Sequence, residues 1–305
     1  MDSTNQTLAA EFILLGFSKD LKTNIVLFMV FLLIYLVSIS ANGLILVLVL
    51  INSSLHIPMY FFLCILSLLD LTMTSAIIPK LLVDLISVQR IISLIGCRTQ
   101  LYFVLLVGGT ECLLLALMAY DRYVAICRPL HYPIVMRWSN CFRLTALVWI
   151  LTFIILILPS IGKPPKLCYP NQINHFMCEA LAVTQLSCEN THSSEVIVIT
   201  CFLVLFIPFL FIIASYICIL TSILKMKSTR SAKAFSTCTS HVTVVVLFYG
   251  TSVVMYFGPS SDYSTKYGKY FSVLTNIICP TLNPLIYCLH NKEMKEAQRK
   301  LFSRE

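Results

Sequence analysis

Charge is what this chain has least of. Asp, Glu, Lys and Arg make up 12% of its 305 residues, against 58% apolar residues and a mean hydropathy of +0.86. A soluble domain carries about 25% charged residues, so this chain has too little charge to clothe a soluble surface. Glycine and proline are sparse too, at 9 and 12 and scattered, while Phe and Tyr number 19 and 14. That excludes a collagen and a disordered tail. No linker, internal repeat or soluble domain interrupts the chain, and its long apolar runs lack the period-two alternation of a membrane barrel. The composition is that of an all-helical membrane protein.

Seven stretches reach the length of about 20 apolar residues that a spanning helix needs. They are Ile25–Ile51, Pro58–Ile86, Cys97–Ile126, Cys141–Ile161, Val196–Leu224, Ala234–Gly258 and Tyr270–Leu289. One bundle domain over residues 25–290 is expected, with residues 1–24 before it and a tail, 291–305, after it. An odd number of spans puts the termini on opposite faces. With the N-terminus outside, the cytoplasmic segments hold thirteen Lys or Arg, Arg122, Arg137, Lys233 and Arg299 among them, against eight outside. The positive-inside bias therefore predicts an extracellular N-terminus and a cytoplasmic C-terminus. The net charge of +8 sits at membrane edges, where it fits topology, anionic lipid and a cytosolic partner rather than nucleic acid.

No cleavable signal peptide is visible. Met1–Asn24 is polar and the first apolar run is too long for a signal core, so the first span is expected to serve as its own insertion signal. Asn5-Gln6-Thr7 is a glycosylation sequon on the expected outer side. Asn52-Ser53-Ser54 has the same pattern on the inner side, where it is unusable.

Of 13 cysteines, topology places Cys97, Cys168, Cys178 and Cys188 at or in outer segments, where oxidation is permitted. Four cysteines allow three pairings, and spacing does not choose among them. The other nine read as small buried hydrophobes. His175-Phe176-Met177-Cys178-Glu179 has the residue types of a metal cluster, although a disulfide at Cys178 would remove its thiolate.

Ionisable groups deep in a span are costly and are functional hypotheses by default. Asp70 and Glu111 are the two such acids, and two carboxylates in one bundle can share a proton or hold a cation. The alternative is that Asn42, Asn283 or Ser67 satisfies each one and the acids merely pin the bundle. Lys80 reads as a snorkelling side chain. Pro208 and Pro284 predict kinks in the fifth and seventh spans, with Asn283 placed to satisfy a carbonyl freed by Pro284.

The third span ends Met118–Cys127, MAYDRYVAIC, and the seventh contains Pro280–Tyr287, PTLNPLIY. An Asp-Arg-Tyr and an Asn-Pro-x-x-Tyr in these spans resemble the rhodopsin-like G-protein-coupled receptors. Leu55–Leu63 (LHIPMYFFL), Leu66–Asp70 (LSLLD), Lys233–His241 (KAFSTCTSH), Phe248-Tyr249-Gly250, Ser215-Tyr216 and Glu11–Phe17 (EFILLGF) resemble the olfactory receptor branch. The resemblance runs from Glu11 to about Asn291.

That resemblance implies roles for the matching residues. Arg122, within Asp121-Arg122-Tyr123, would leave Asp121 to meet the C-terminal helix of a Gα subunit when the inner face opens. Tyr216 and Tyr287 would line that opening, Lys233 and His241 would belong to the moving sixth span, and Asn283-Pro284 to the switching seventh. Asp70, Glu111 and Asn283 would form a polar site associated with a bound sodium ion, and no other cofactor is implied. Cys97 would pair with Cys178, and Cys168 with Cys188.

The ligand pocket would take Val104, Leu105, Gly108, Gly109 and Cys112, which recur at helical spacing on one face of the third span. By family position Thr200 and Cys201 would join from the fifth span, and Tyr249, Ser252, Val253 and Tyr256 from the sixth. Asn276 and Ala180 are weaker candidates. Such a lining suits a small, volatile, weakly hydrogen-bonding molecule. No acid stands at Val104, where amine receptors carry Asp, which disfavours a cationic amine. The chain departs from the family at Ala41-Asn42-Gly43 and at His290. Its tail, with Met294, Ala297, Leu301 and Phe302 among basic residues, would lie on the membrane as a short amphipathic helix.

The expectation is a multi-pass plasma-membrane odorant receptor that activates a stimulatory G protein and raises cyclic AMP. The same receptor type sensing a metabolite outside the nose is the runner-up. A channel or transporter would need a polar pore or inverted repeats, and neither is found. An intramembrane enzyme would need convergent His, Ser or paired Asp, which only Asp70 and Glu111 approach.

Overall fold

The computed structural model describes residues 10–162, 171–187, 192–225, 228–257 and 261–302. Within these helices only the backbone is described at 192–194, 228–237, 256–257, 261–266, 289–290, 292 and 302. Asn5, Cys168 and Cys188 lie outside the described residues, as do the side chains of Lys233 and Tyr256.

Among the described residues, seven helices are long and apolar enough to cross a membrane: Leu21–Ile51, Pro58–Ile86, Leu94–Cys127, Trp138–Gly162, Glu195–Leu224, Cys238–Met255 and Tyr267–Cys288. Their starts follow from local chemistry. Asp20 caps the first, accepting a hydrogen bond from Thr23 N–H at 2.9 Å, and that bond holds its carboxyl below the usual range. Ser93 caps the third through Gly96 N–H at 3.1 Å. Pro58 opens the second, where its missing N–H costs nothing.

The third span is the axis of the bundle. It packs on the second, fourth, fifth and sixth spans, and 67% of its apolar window is buried, against 28% for the first and the fifth. Leu33, Ile150, Leu210 and Val246 face outward and exposed. In a bilayer such side chains meet lipid and need no protein partner.

Two spans are not simple α-helices. The fourth is widened by a π-turn at Phe153–Ile157 and the seventh by one at Leu274–Ile278. Each lies just before a proline, Pro159 and Pro280. A π-turn adds one residue to the helical register and turns the following side chains round the axis.

A small sheet, absent from the sequence expectation, caps the N-terminal face. Strands β1 (Glu11–Leu14), β2 (Ile91–Ser93) and β3 (Gln172–Ile173) lie in the order β2-β1-β3, with β1 antiparallel to β2 and parallel to β3. Phe12 and Leu14 alternate inward and are buried. Arg90 ties the chain after β1, donating to Leu15 O at 2.8 Å and Ser18 O at 2.9 Å. Gly16 makes the turn between them at φ +64°, where a Cβ would lie 2.7 Å from the Arg90 guanidinium. The disulfide Cys97–Cys178 fastens the long loop to the top of the third span, with Cα atoms 5.3 Å apart. Gln100 reinforces it by accepting from Cys178 N–H at 3.0 Å.

On the opposite, C-terminal face, the tail forms a helix over Lys292–Phe302 with Met294 and Ala297 buried and Lys295, Glu296 and Arg299 exposed. Tyr60 anchors it, donating to Asn291 Oδ1 at 3.0 Å and Glu293 Oε2 at 2.9 Å.

Close packing of the third and fourth spans depends on Gly109. A Cβ there would sit 2.5 Å from Leu156 Cδ1 and 2.8 Å from Thr152 Cγ2, whereas at Gly108 it would meet only Met73 Cε at 3.6 Å. Thr152 cannot swing clear without releasing its hydroxyl from Val148 O, 2.9 Å away. Gly109→Ala should therefore cost about 1–3 kcal/mol and lower the Tm of the detergent-purified protein by several degrees. Gly108→Ala should leave the Tm nearly unchanged. Equal effects of the two substitutions would contradict the contact.

Candidate functional site

Three levels of polar and cavity-forming residues are stacked along the third span. Nearest the sheet is a cavity of about 80 Å³. Val104, Leu105, Gly108, Gly109 and Cys112 line it from the third span, Cys201 from the fifth, and Ser252 from the sixth. Asn276 and Ala180 belong to its wall as well. Three residues expected there stand outside it. Thr200 turns its hydroxyl back to Val196 O at 2.8 Å and Ile197 O at 3.0 Å. Tyr249 is buried with its hydroxyl on Cys112 O at 3.0 Å and its ring stacked on Phe209 at 5.0 Å, so it packs helices together. Val253 is not in the wall.

Sequence reasoning missed other parts of the wall. Leu156 comes from the π-turn of the fourth span, and Thr275, beside the expected Asn276, from that of the seventh. The one-residue shift in each helix is what widens the backbone beside the cavity. Met177 and Glu179 enter from the loop that the Cys97–Cys178 disulfide holds over the bundle. Adjacency to Cys178 was the available signal for Glu179.

Glu179 is buried. Its Oε2 accepts from Ala182 N–H at 3.1 Å, capping the short helix Ala180–Thr184, and its Oε1 has no hydrogen-bond partner. Burial raises its carboxyl to about 6. Nearby His175 accepts from Met177 N–H at Nδ1, 3.2 Å away, and burial pushes its pKa down to about 3, so it stays neutral with the hydrogen on Nε2. The metal-cluster reading of this segment fails, because the Cys178 sulfur is in the disulfide. Among the described residues no group of three or more His, Cys, Asp or Glu is arranged to hold a metal ion.

The middle level joins the second, third and seventh spans. Asn283 Nδ2 lies 3.2 Å from each oxygen of Asp70 and 3.5 Å from Glu111 Oε1, and both carboxyl groups are 1% exposed. Glu111 Oε2 and Asn283 Oδ1 have no partner there. The carbonyl freed by Pro284 is that of Pro280, and its donor is Asn42 Nδ2 at 3.2 Å rather than Asn283. Asn283 is already committed to the carboxyl pair, and Asn42 ties the first span to the seventh in its place.

The third level lies at the C-terminal face. Arg122 pairs with Asp121 through Nη2 and through Nε at 2.9 Å, while Tyr132 donates to the other Asp121 oxygen at 2.9 Å. His241 bridges three helices: Nε2 donates to Leu115 O at 3.1 Å, and Nδ1 takes the Tyr216 hydroxyl at 2.8 Å. A carbonyl only accepts, so that contact fixes the tautomer. Tyr123 packs with Tyr216 on Ile219, Ile223 and Cys238. Tyr287 is buried with an unpartnered hydroxyl, and it shares a small void with Arg122 and His241.

This stacking of an apolar cavity, a buried acid pair and a basic ion pair within seven spans defines a protein of the G-protein-coupled receptor fold. Squid rhodopsin superposes with a TM-score of 0.71 at 16% identity, over 94% of this chain and 87% of that one. Sequence comparison narrows the class. The olfactory receptor profile matches residues 31–305. Olfactory receptor 10A3 of Homo sapiens is 44% identical over 100% of this chain and 98% of its own length. Olfactory receptor 10A6 of Homo sapiens is 45% identical over the same shares. Olfactory receptor-like protein OLF3 of Canis lupus familiaris is 42% identical over 99% and 96%. The chain belongs to the olfactory receptor family. It is a multi-pass protein of the plasma membrane, and a receptor rather than an enzyme.

Asn42→Ala should leave the buried Pro280 carbonyl without a donor, at a cost of about 1–3 kcal/mol. Thermal unfolding of the purified receptor should show a fall in Tm of several degrees. An unchanged Tm would mean that the seventh span does not depend on this bond.

Proposed function

We propose that this chain is an odorant receptor that binds small, volatile, mostly apolar molecules in the cavity and activates a stimulatory heterotrimeric G protein, raising cyclic AMP. The observation that carries this reading is a shared set of helices. The third, fifth and sixth spans that wall the cavity also carry the Arg122–Asp121 pair and the Tyr216–His241 bridge. A ligand shifts an equilibrium only by its difference in affinity between two states, and these spans feel both ends. An apolar cavity of about 150 Å³ holds benzene, so about 80 Å³ admits only a few heavy atoms until the walls move. A larger odorant must open the cavity as it binds.

In this reading the N-terminal face is extracellular, with residues 1–24 outside, Asn5 glycosylated and Cys168 bridged to Cys188. The bundle occupies 25–290, and the tail 291–305 lies in the cytoplasm. Arg122 leaves Asp121 to meet the olfactory stimulatory Gα subunit, and Tyr123, Tyr216, Lys233, His241, Pro284 and Tyr287 shape the opening it enters. The family resemblance and the basic residues of the C-terminal face support this orientation.

Asp70 and Glu111 are proposed to hold a sodium ion or to share a proton. Two bare carboxylates this deep are too costly without one of these, and the free Glu111 Oε2 and Asn283 Oδ1 suit an added cation.

Cells expressing the receptor with its G protein should show odorant-dependent cyclic AMP, and Arg122→Ala should abolish it at equal surface level. A response that persists in Arg122→Ala would overturn the coupling role. Replacing KCl by NaCl at constant ionic strength should raise the Tm of the wild-type receptor and not that of Glu111→Gln. Identical Tm values for the wild type in the two salts would favour the shared proton.

A further inference from the structure

Among the described residues of the cavity wall, Glu179 alone carries a charge. It is also a partition. A second, smaller cavity lies on its other side, toward the N-terminal face, with Glu179 and Met255 in both walls and His175, Gln185 and Lys269 completing the outer one. A molecule passing from that face into the bundle by way of the outer cavity must pass this carboxyl, beside a methionine flexible enough to yield.

The hydrogen bonds define what the carboxyl can recognise. Oε2 is held by Ala182 N–H, which orients the group, while Oε1 is buried and unpartnered. A buried acceptor left unpaired is costly, and that cost is recovered by whatever donates to it. The other polar groups of the inner cavity are spent or neutral. Asn276 Nδ2 donates to Ser272 O at 3.1 Å and Ser272 Oγ at 3.0 Å, and the Thr275 hydroxyl lies 3.0 Å from Thr251 Oγ1. Lys269, the cation of the outer cavity, is engaged with Gly16 O at 3.1 Å and Asn174 Oδ1 at 3.4 Å. Among the described residues, an anionic ligand in the inner cavity would thus meet a carboxylate and no free cation.

We propose that Glu179 is the specificity-determining residue of the cavity, its Oε1 accepting a hydrogen bond from the ligand. It selects small molecules with a terminal O–H or N–H, alcohols and primary amines, over ethers and carboxylates of the same skeleton. This rests on the ligand-binding reading above. The acid absent from Val104 on the third span is supplied from the loop instead, so amines are admitted rather than excluded.

The test uses straight-chain probes of four to eight carbons: 1-alkanols, the isomeric methyl ethers, n-alkylamines and alkanoates. Cyclic AMP is read in cells carrying wild type, Glu179→Gln or Glu179→Leu, normalised to surface receptor. On wild type the alkanols and amines should act at concentrations roughly tenfold or more below the ethers, and alkanoates should be inactive. Glu179→Gln keeps an acceptor and the cap on Ala182, so it should retain the preference for alkanols over ethers and lose the advantage of amines. Glu179→Leu should lose both. Ethers or alkanoates matching the alkanols on wild type would overturn the proposal. So would amines that keep their advantage in Glu179→Gln, discrimination unchanged in Glu179→Leu, or no response of wild type to any probe. Basal cyclic AMP, compared between wild type and Arg122→Ala, reports coupling without a ligand. A basal signal lost in Arg122→Ala alongside absent selectivity overturns the role of Glu179 alone, whereas a basal signal indifferent to Arg122 overturns the coupling.

Discussion

Two carboxyl groups, Asp70 and Glu111, sit 1% exposed in the middle of an apolar bundle, joined through the single amide of Asn283. Such groups are expensive to place there. An unpaired charge in such surroundings costs several kcal/mol, so the second, third and seventh spans must keep the register that brings these three side chains together. The levels on either side inherit that register. Toward the N-terminal face, Gly108, Gly109 and Cys112 open the cavity on the same helix as Glu111. Toward the other, Pro284 follows Asn283 directly and Tyr287 about one turn later, and Tyr287 reaches the void beside Arg122.

The third span carries all three levels, and its neighbours differ at each. Around the cavity it meets the π-turns of the fourth and seventh spans; near the C-terminal face its Leu115 carbonyl takes His241 from the sixth. Other hydrogen bonds also tie one span to another: Tyr216 to His241, Tyr249 to Cys112, Asn42 to Pro280. Packed cores move between discrete arrangements and do not deform continuously. A ligand that widens the cavity therefore has defined bonds to break on the way to the C-terminal face.

The spans themselves were legible in the sequence, because long apolar runs and a helix cap or proline at the edge are local signals. The second span, Pro58–Ile86, begins and ends where its composition says it should. The contacts of β1 with β2, three residue pairs, and with β3, two, were not legible, since strands of two to four residues pair across distant parts of the chain. The π-turns escaped for a different reason: one extra residue in a run of apolar side chains leaves no mark on hydrophobic periodicity. Of the site, the third-span face Val104–Cys112 was visible from helical spacing taken with the family resemblance. Thr200 and Tyr249 look equally suited by position, but their hydroxyls are taken up by neighbouring carbonyls. Glu179 was hidden because a loop residue has no helical face to assign it to; only the disulfide places it over the cavity.

The dependence of the bundle on its buried polar centre is open to one direct measurement, a double-mutant cycle on thermal unfolding of the purified receptor with Asp70→Ala, Asn283→Ala and both together. If the carboxyl and the amide act as one unit, the double variant should depart from the sum of the singles by more than about 1 kcal/mol. Additivity to within about 0.3–0.5 kcal/mol would show that the two residues contribute independently, and that the bundle does not depend on their contact.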